Sequence, residues 1–388
     1  MAGHLWHLAF WMDLIVLGWL VLELTNSALF VALVGTFRLI PMGLFGVVAG
    51  TIGDRVSKKT VLLVAQTLNL AVTTMFTIIL ILGLEQVWII YGAAFLMGLA
   101  WAIDFPLRRA FIRDLLPADA MVNAMAIDAA SLTGMAMMGR WIGGGFLQWA
   151  DPGWAYGFLV FCYIVGFVLL LRMPNLPPTP NTTGGKSTMV QAIVSGLSYV
   201  LKQRTLRSIF FVTVLINFFI VPYFQMTPVF AKDVFGIGPG MLGILSGMDG
   251  LGALIGTCIL ASITTLVRVR LVFGVGSLLF GLGVLLFSQA PSYQLGMIFL
   301  FVVGLGTAGF ATMQTTITVT LAEPHMRGRA MGAIALGIGT LPIGMAYLGA
   351  LSQWVGAPHA LGMSSLVGMG LISLVMLFSR LSARTKGI

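Results

Sequence analysis

Apolar runs of about twenty residues follow one another along this chain, and short polar stretches separate them. A helix of about 20 apolar residues crosses the ~30 Å hydrocarbon core of a bilayer and satisfies its own backbone hydrogen bonds there. The pattern predicts an all-α membrane protein with twelve transmembrane helices. The first six predicted spans are 5–24, 31–52, 60–83, 87–110, 120–147 and 154–172. The second six are 207–230, 240–265, 270–290, 294–320, 330–351 and 358–379.

A polar break separates the two groups of six spans. The segment 173–188 is rich in Pro, Thr and Gly, which favours a solvated linker over a continuing helix. The segment 189–202 is apolar on one side and leads into Lys-Gln-Arg, so we expect an interfacial helix there. The predicted organisation is an N-terminal six-helix half at 1–172, a cytoplasmic linker with an interfacial helix at 173–206, and a C-terminal six-helix half at 207–388.

Two segments hint at an internal repeat. The fourth span contains FLMGLA from Phe95, and the tenth contains FVVGLG from Phe301. Two related six-helix halves are typical of secondary transporters, whose substrate site lies near the bilayer midplane between the repeats. Together with the six-plus-six count, the repeat favours two pseudo-symmetric halves.

The charge distribution agrees with a membrane location. Charged residues make up 9% of the chain, whereas soluble domains carry roughly 25%. The net charge of +9 would suggest a nucleic-acid partner in a soluble protein, but here the basic residues flank the predicted spans. Eighteen of the 21 Lys and Arg residues fall on one side and only Lys232 on the other. The positive-inside rule therefore predicts cytoplasmic termini, and we expect a lipid bilayer and no nucleic acid as partner.

Motifs for chemistry on a bound metal or nucleotide are missing from the sequence. The four histidines do not cluster with cysteines or carboxylates at ligand spacing, and both cysteines fall inside apolar runs. HExxH, GxSxG and Walker sequences do not occur. The sequence therefore predicts no metal, no cofactor and no enzymatic activity.

The connection between the second and third spans carries an ordered motif, GTIGDRVSKK, from Gly50 to Lys59. It resembles the cytoplasmic signature G-x-x-x-D-R-x-G-R/K-R/K of the major facilitator superfamily and departs from it at Ser57, where the signature has Gly. The resemblance implies that superfamily's twelve-helix fold and a latch that holds the two halves in the outward-facing state. The alternative is a loop whose bases only anchor it to the membrane surface. The residues assigned to this conformational switch are Gly50, Asp54, Arg55, Lys58 and Lys59.

The fifth span carries a second motif, GMAMMGRWIGG, with glycines at Gly134, Gly139, Gly143 and Gly144. It resembles the antiporter motif G-x-x-x-G-P-x-x-G-G, with Arg140 in place of the proline. Exporters of the superfamily tend to carry that motif, so the resemblance favours efflux. Plain helix packing through small residues is the alternative.

Shorter segments suggest a branch of the superfamily. The sequences GWLVLELTNS from Gly18, DFPLRR from Asp104 and HMRGRA from His325 resemble drug and siderophore exporters, of which enterobactin exporters are the best known. The resemblance implies small amphiphilic organic molecules as substrates.

Six ionisable residues inside predicted spans are candidate functional residues, because a charge there is costly unless it is paired or wetted. A desolvated carboxylate can exchange protons near neutral pH, so Asp13 and Asp249, one from each half, are the preferred proton carriers. Arg38 and Arg140 either bind an anionic substrate or pair with Asp13. Asp104 and Asp128 are expected to tie the cytoplasmic ends of their spans to Arg55, Arg108 or Arg109, which would make them elements of a gate. A purely structural ion pair stays open for all six, which are Asp13, Arg38, Asp104, Asp128, Arg140 and Asp249.

Aromatic and methionine side chains suggest an adaptable apolar pocket. Pro222 and Pro228 interrupt the seventh span, which favours a bending gate helix. The candidate pocket residues are Trp101, Phe219, Tyr223, Met226 and Gln314.

Taken together, these features predict a monomeric secondary active transporter that works by alternating access in a bacterial-type inner membrane. It would export small amphiphilic organic molecules, drugs or siderophore-like compounds, in exchange for protons. A facilitator or importer of the same fold, and a non-transporting membrane receptor, are the alternatives.

Overall fold

The structure is a computed structural model that describes residues 2–53, 56–115, 117, 120–175, 189–263 and 269–384. Every regular element in these ranges is a helix. The first six predicted spans coincide with α1 (Ala2–Thr25), α2 (Ala28–Gly53), α3 (Lys58–Ile81), α4 (Val87–Leu115), α5 (Met121–Trp149) and α6 (Pro152–Leu171). Helix α7 (Met189–Lys202) covers the segment for which the sequence predicts an interfacial helix.

The later helices coincide with the second group of six predicted spans. They are α8 (Arg204–Leu215), α9 (Tyr223–Val229), α10 (Pro239–Ile263), α11 (Val269–Ser288), α12 (Tyr293–Leu321), α13 (Arg327–Ile338), α14 (Leu341–Val355) and α15 (Ala357–Arg384). Within the described residues, ten helical segments are long and apolar enough to cross a membrane, and Ala28–Leu44 is a shorter apolar helix. The predicted all-α membrane protein is confirmed.

Two predicted spans are each built from more than one helix. In the seventh, π-helical segments at Ile216–Ile220 and Phe230–Val234 flank α9, and Pro222 lies in the two-residue turn between the first of them and α9. Proline has no backbone N–H and clashes with the preceding turn, so it interrupts the regular hydrogen-bond ladder. The eleventh span is divided between α13 and α14, and Pro342 lies in the first turn of α14, where proline is tolerated.

Contacts between Cα atoms group the chain into two compact units. Unit 1 contains the described residues of Met1–Gly185 and Ala231–Gly247, and unit 2 those of Lys186–Phe230 and Met248–Ile388. Helices α1 to α6 therefore belong to unit 1.

Helix α1 is the central helix of unit 1, where it packs against α2, α4, α5 and α6. It is apolar on all sides and almost completely buried, as expected for a helix surrounded by protein. Glycines on α5 permit the close approach to α1. A Cβ at Gly139 would lie 2.5 Å from the carbonyl oxygen of Leu8, and one at Gly143 would lie 2.8 Å from Cγ2 of Ile15.

Unit 2 has its own packed interior. Helix α11 packs against α12 and α15, and α14 also packs against α15. Helix α7 packs against α13, with Gly196 against the backbone of Arg329. The backbone N–H of Glu323 donates to the Tyr199 hydroxyl at 3.1 Å, which further ties α7 to unit 2.

Candidate functional site

A buried ionic cluster lies where α1, α2 and α6 meet in unit 1. Arg38 Nη2 is 3.1 Å from Asp13 Oδ2, and the Tyr156 hydroxyl donates to Asp13 Oδ1 at 2.5 Å. The side chains of Asp13 and Arg38 are 0% and 1% exposed. The Arg38 guanidinium also lies 5.0 Å from the centroid of the Phe10 ring, where cation and π-system attract. The pairing of Asp13 with Arg38 was one of the sequence alternatives.

Because the cluster is shielded from water, its stability depends strongly on the charges of Asp13 and Arg38. Burying two ions costs several kcal/mol each, and their attraction offsets this only when the remaining polar atoms are satisfied. Here Nε and Nη1 of Arg38 have no hydrogen-bond partner among the described residues. Asp13 Oδ2 likewise accepts no hydrogen bond among the described residues and has only its ion-pair contact with Arg38, whereas Oδ1 accepts from the Tyr156 hydroxyl. A change in the charge of Asp13 therefore acts directly on three helices.

Unit 2 contains a similar aspartate–tyrosine contact. The Tyr223 hydroxyl donates to Asp249 Oδ2 at 2.5 Å, and the backbone N–H of Gly250 donates to Oδ1 at 2.5 Å. Tyr223 begins α9, directly after the interruption at Pro222, and Asp249 lies on α10. Each unit thus places one aspartate of a predicted span against a tyrosine hydroxyl.

Two further predicted residues form ion pairs within unit 1. Asp104 is completely buried and accepts hydrogen bonds from Arg108 Nε at 2.6 Å and Nη2 at 2.7 Å. Asp128 accepts from Arg109 Nε at 3.0 Å. The bidentate Asp104–Arg108 contact lies within one helix at i,i+4 spacing and has the geometry of a strong charge-assisted pair.

The described part of the switch motif is held by ionic and capping contacts. Lys58 pairs with Asp114, and Lys59 Nζ donates to the carbonyl oxygens of Leu171 at 2.8 Å and Met173 at 2.6 Å. These carbonyls lie at the end of α6, where a cation is favourable. Asp54 and Arg55 lie outside the described residues, as do the surroundings of Gly50. Sequence reasoning missed Asp114, an acidic residue in a chain with only 12 Asp and Glu.

The fifth-span motif lies at helix contacts of unit 1. Gly139 and Gly143 contact α1, and a Cβ at Gly144 would lie 2.7 Å from Cα of Gly243 on α10. A Cβ at Gly134 would meet nothing within 4 Å. Arg140 Nη1 donates to the carbonyl oxygen of Ser246 at 2.7 Å, and its guanidinium lies 4.4 Å from the Trp11 ring centroid.

An aromatic wall, defined as Trp6, Phe10, Trp101 and Phe105, joins α1 to α4. Trp101 stacks on Phe10 at 5.0 Å and on Phe105 at 5.1 Å between ring centroids, and its ring is parallel to that of Trp6 at 6.4 Å. Three guanidinium groups lie against this wall, each 4.3–5.2 Å from a ring centroid: Arg38 on Phe10, Arg108 on Trp6 and Arg109 on Phe105. Sequence reasoning named only Trp101. The i,i+4 spacing of both aromatic pairs on neighbouring helices could have indicated the rest.

The other pocket candidates all lie in unit 2. Phe219 is 5.9 Å from the Tyr347 ring centroid, and Met226 Sδ accepts from the Ser352 hydroxyl at 3.8 Å. Gln314 Nε2 is buried and donates to the Thr213 hydroxyl at 2.5 Å. Phe219 and Met226 lie around α9 and α14, whereas Gln314 lies on α12 against α8. Among the described residues, no cluster of three or more His, Cys, Asp or Glu side chains could hold a metal ion.

Helices of membrane-spanning length that bury ion pairs and aromatic side chains define the class of this protein as a multi-pass membrane protein. A family model described as transmembrane secretion effector matches residues 1–386. The chain belongs to this family, which is part of the major facilitator superfamily, and it is not an enzyme.

Individual relatives agree with this assignment. The Staphyloferrin A transporter of Staphylococcus aureus (strain NCTC 8325 / PS 47) is 24% identical over 392 residues, which cover 99% of this chain and 96% of the relative. A mutant of the nucleoside transporter NupG superposes with a TM-score of 0.74 at 14% identity and covers 98% and 97% of the two chains. A D-xylose–proton symporter gives a TM-score of 0.72 at 14% identity and covers 97% and 95%. At these identities the two structures show a shared fold.

Proposed function

We propose that this transporter is a proton-driven exporter of small amphiphilic organic molecules, with siderophore-like compounds as the preferred class. The observation that carries the proposal is the completely buried Asp13, bonded to both Arg38 and Tyr156. Buried ionisable residues on membrane spans are typical of proton relays. The name of the Staphyloferrin A transporter supports the substrate class, and the fifth-span motif supports export.

The cluster suggests how proton binding acts on the helices. A proton on Asp13 removes the carboxylate charge that attracts Arg38 and thereby weakens the link between α1 and α2. The link from α1 to α6 through the Tyr156 hydroxyl changes at the same time. Loss of the proton restores both contacts. We infer that the protonation state of Asp13 biases unit 1 between two arrangements, as alternating access requires.

Asp249 is proposed as a second proton site in unit 2. Its contact with Tyr223 places it beside the interruption of the seventh span, where the backbone is irregular. Irregular backbone at membrane depth is tolerated where it lines a cavity or is buried in protein. Protonation of Asp249 would therefore act on the segment most able to bend.

We propose the aromatic wall as part of the substrate site. Trp101 and Phe105 are partly exposed and offer apolar surface, whereas Trp6 and Phe10 are buried behind them. The buried Arg38 has two donor atoms without partners among the described residues. Such a surface suits an amphiphilic molecule that carries oxygen acceptors. Phe219, Tyr223 and Met226 stay proposals for the corresponding surface of unit 2.

The proposed setting follows the predictions from the sequence. We propose a monomer with both termini in the cytoplasm of a bacterial-type inner membrane, and two six-helix halves joined by the segment 173–206. A facilitator or importer is the alternative function, because the same fold supports transport in either direction.

Everted membrane vesicles test the direction and the driving force. We expect vesicles containing the protein to accumulate Staphyloferrin A or ethidium when an inward-acidic proton gradient is imposed, and to lose the accumulated compound when a protonophore is added. Accumulation that is insensitive to the protonophore would exclude proton coupling. Accumulation only in right-side-out vesicles would indicate an importer.

Asp54→Asn tests the switch motif. We expect transport to fall about tenfold or more, because loss of the latch removes a coupling of 1–3 kcal/mol between conformations, while substrate binding persists. The measurement is uptake by everted vesicles alongside binding to purified protein. Asp151→Asn makes the same chemical change at an exposed residue whose side chain forms no capping hydrogen bond, and it should transport normally. Normal turnover of Asp54→Asn would contradict the latch.

A further inference from the structure

Helix α3 carries a row of buried polar side chains within a membrane span. Gln66, Asn69 and Thr73 are each no more than 2% exposed, and the buried Phe76 continues the row. Spacings of three and four residues place these side chains on one face of the helix. Amides buried within a membrane span are costly unless their polar atoms are satisfied.

This face of α3 is directed at α6. Gln66 Nε2 donates to the carbonyl oxygen of Tyr163 at 3.1 Å, and Phe76 contacts Tyr156 edge-on at 4.7 Å between ring centroids. Gly166 lies beside Gln66, so α6 contributes no side chain at that level. We name the interface between these two faces the α3–α6 seam.

Three oxygens in the seam have no hydrogen-bond partner among the described residues: Gln66 Oε1, Asn69 Oδ1 and Thr73 Oγ1. The hydroxyls of Thr67 and Thr77 on the same helix donate to carbonyl oxygens one turn earlier, at 2.9 and 2.8 Å. Thr73 departs from this pattern. An unsatisfied buried polar group is costly, so a row of three favours a polar ligand such as ordered water.

The two ends of the seam differ in polarity. At one end Phe76 contacts Tyr156, whose hydroxyl is bonded to Asp13. At the other end, towards the start of α3, lies an apolar cluster of Val61, Leu62, Leu107, Phe111 and Leu170. The polar row between them spans about 10 Å along the helix at 1.5 Å per residue.

We infer that the α3–α6 seam holds a chain of ordered water that carries protons between Asp13 and the face of unit 1 at which α3 begins. The inference rests on the proposed function, because it requires that Asp13 exchanges protons. Asp13 passes its proton to the Tyr156 oxygen while the Tyr156 hydroxyl passes its own proton to the first water, so each O–H bond that breaks is matched by one that forms. Thr73 both accepts and donates, and the two amides hold water through their oxygens. In the described arrangement the apolar cluster closes this route, so it must part before a proton reaches that face.

Hydroxyl-radical footprinting of the purified full chain tests for the water without any substrate. Radiolysis of bound water oxidises neighbouring side chains, so we expect Phe76 and Tyr163 to be oxidised several-fold faster than the equally buried Phe230 and Phe287 of unit 2. The double change Asn69→Leu and Thr73→Val should remove most of this labelling. Thr67→Val, on the exposed face, is the matched control. Equal labelling of all four aromatic residues in the wild type would show a dry seam and overturn the inference.

Proton-driven uptake of Staphyloferrin A or ethidium tests the role of that water. We expect the double variant to lose tenfold or more of proton-driven uptake but to keep substrate exchange at equal pH, whereas Thr67→Val keeps both. Thr73→Val alone, with nearly unchanged volume, serves if the double variant does not fold. If footprinting labels the seam in the wild type but the variants keep proton-driven uptake, the proton route is overturned. A labelled seam in a wild type without any proton coupling would overturn the proposed function and the route together, while the water site itself would stand.

Discussion

Replacing Asp13 by Asn is expected to lower the free energy of unfolding by about 3–5 kcal/mol, because Arg38 then remains as a buried charge without a counter-ion. The wild-type pair is 3.1 Å apart and almost completely buried, so water cannot screen the remaining charge. The measurement is thermal denaturation of the purified protein in detergent. Adding Arg38→Met to the same chain should recover much of the loss, since a buried ion pair can be replaced by apolar side chains at little cost.

Asp114→Asn provides the comparison for that change. Asp114 and its partner Lys58 are 24% and 13% exposed, so this pair contributes less, within about 1 kcal/mol. A single Asp13→Asn variant as stable as the wild type would contradict the buried pair. A double variant Asp13→Asn, Arg38→Met that is no more stable than Asp13→Asn alone would also contradict it.

Gly304→Ala is the second change for which we expect a large effect. A Cβ at Gly304 would lie 2.6 Å from the backbone nitrogen of Ala253 and 2.8 Å from Cα of Gly252, and it would also meet the carbonyl oxygen of Asp249. All three are backbone atoms of α10, which cannot rotate out of the way as a side chain can. We expect a loss of about 1–3 kcal/mol from overpacking, measured as a fall in the melting temperature.

Gly332→Ala is the matched control because a Cβ there meets nothing within 4 Å. It should be neutral or gain up to about 1 kcal/mol, since alanine favours the helix. Effects of the same sign and size at both positions would contradict the close contact between α10 and α12. Because this contact holds the backbone of Asp249, we also expect Gly304→Ala to weaken transport.

The spans could be predicted from the sequence because the bilayer imposes a length of about 20 apolar residues on each. Local irregularity was harder to predict. Pro222 correctly indicated the interruption of the seventh span, where proline removes a backbone donor. The division of the eleventh span just before Pro342 was missed, because a proline in a first helical turn and a proline that breaks a helix have the same sequence pattern.

The candidate site could be predicted only in part. Asp13 and Arg38 were identified because charges are rare inside spans, but Tyr156 was missed because a tyrosine within an apolar run is no signal by itself. Its contact with Asp13 joins residues 143 positions apart. The polar row on α3 was also missed, although its three- and four-residue spacing is visible in the sequence. Partners across helices depend on packing, which one sequence does not specify.

Substrate-induced proton release from purified protein tests most directly whether substrate and proton exchange at Asp13. In unbuffered detergent solution near neutral pH, Staphyloferrin A or another compound shown to bind is added while a pH dye is recorded. We expect wild type to acidify the solution in proportion to the substrate bound, Asp13→Asn to bind without acidification, and Asp151→Asn to behave as wild type. Equal acidification by Asp13→Asn, or binding to wild type without proton release, would contradict proton exchange at Asp13.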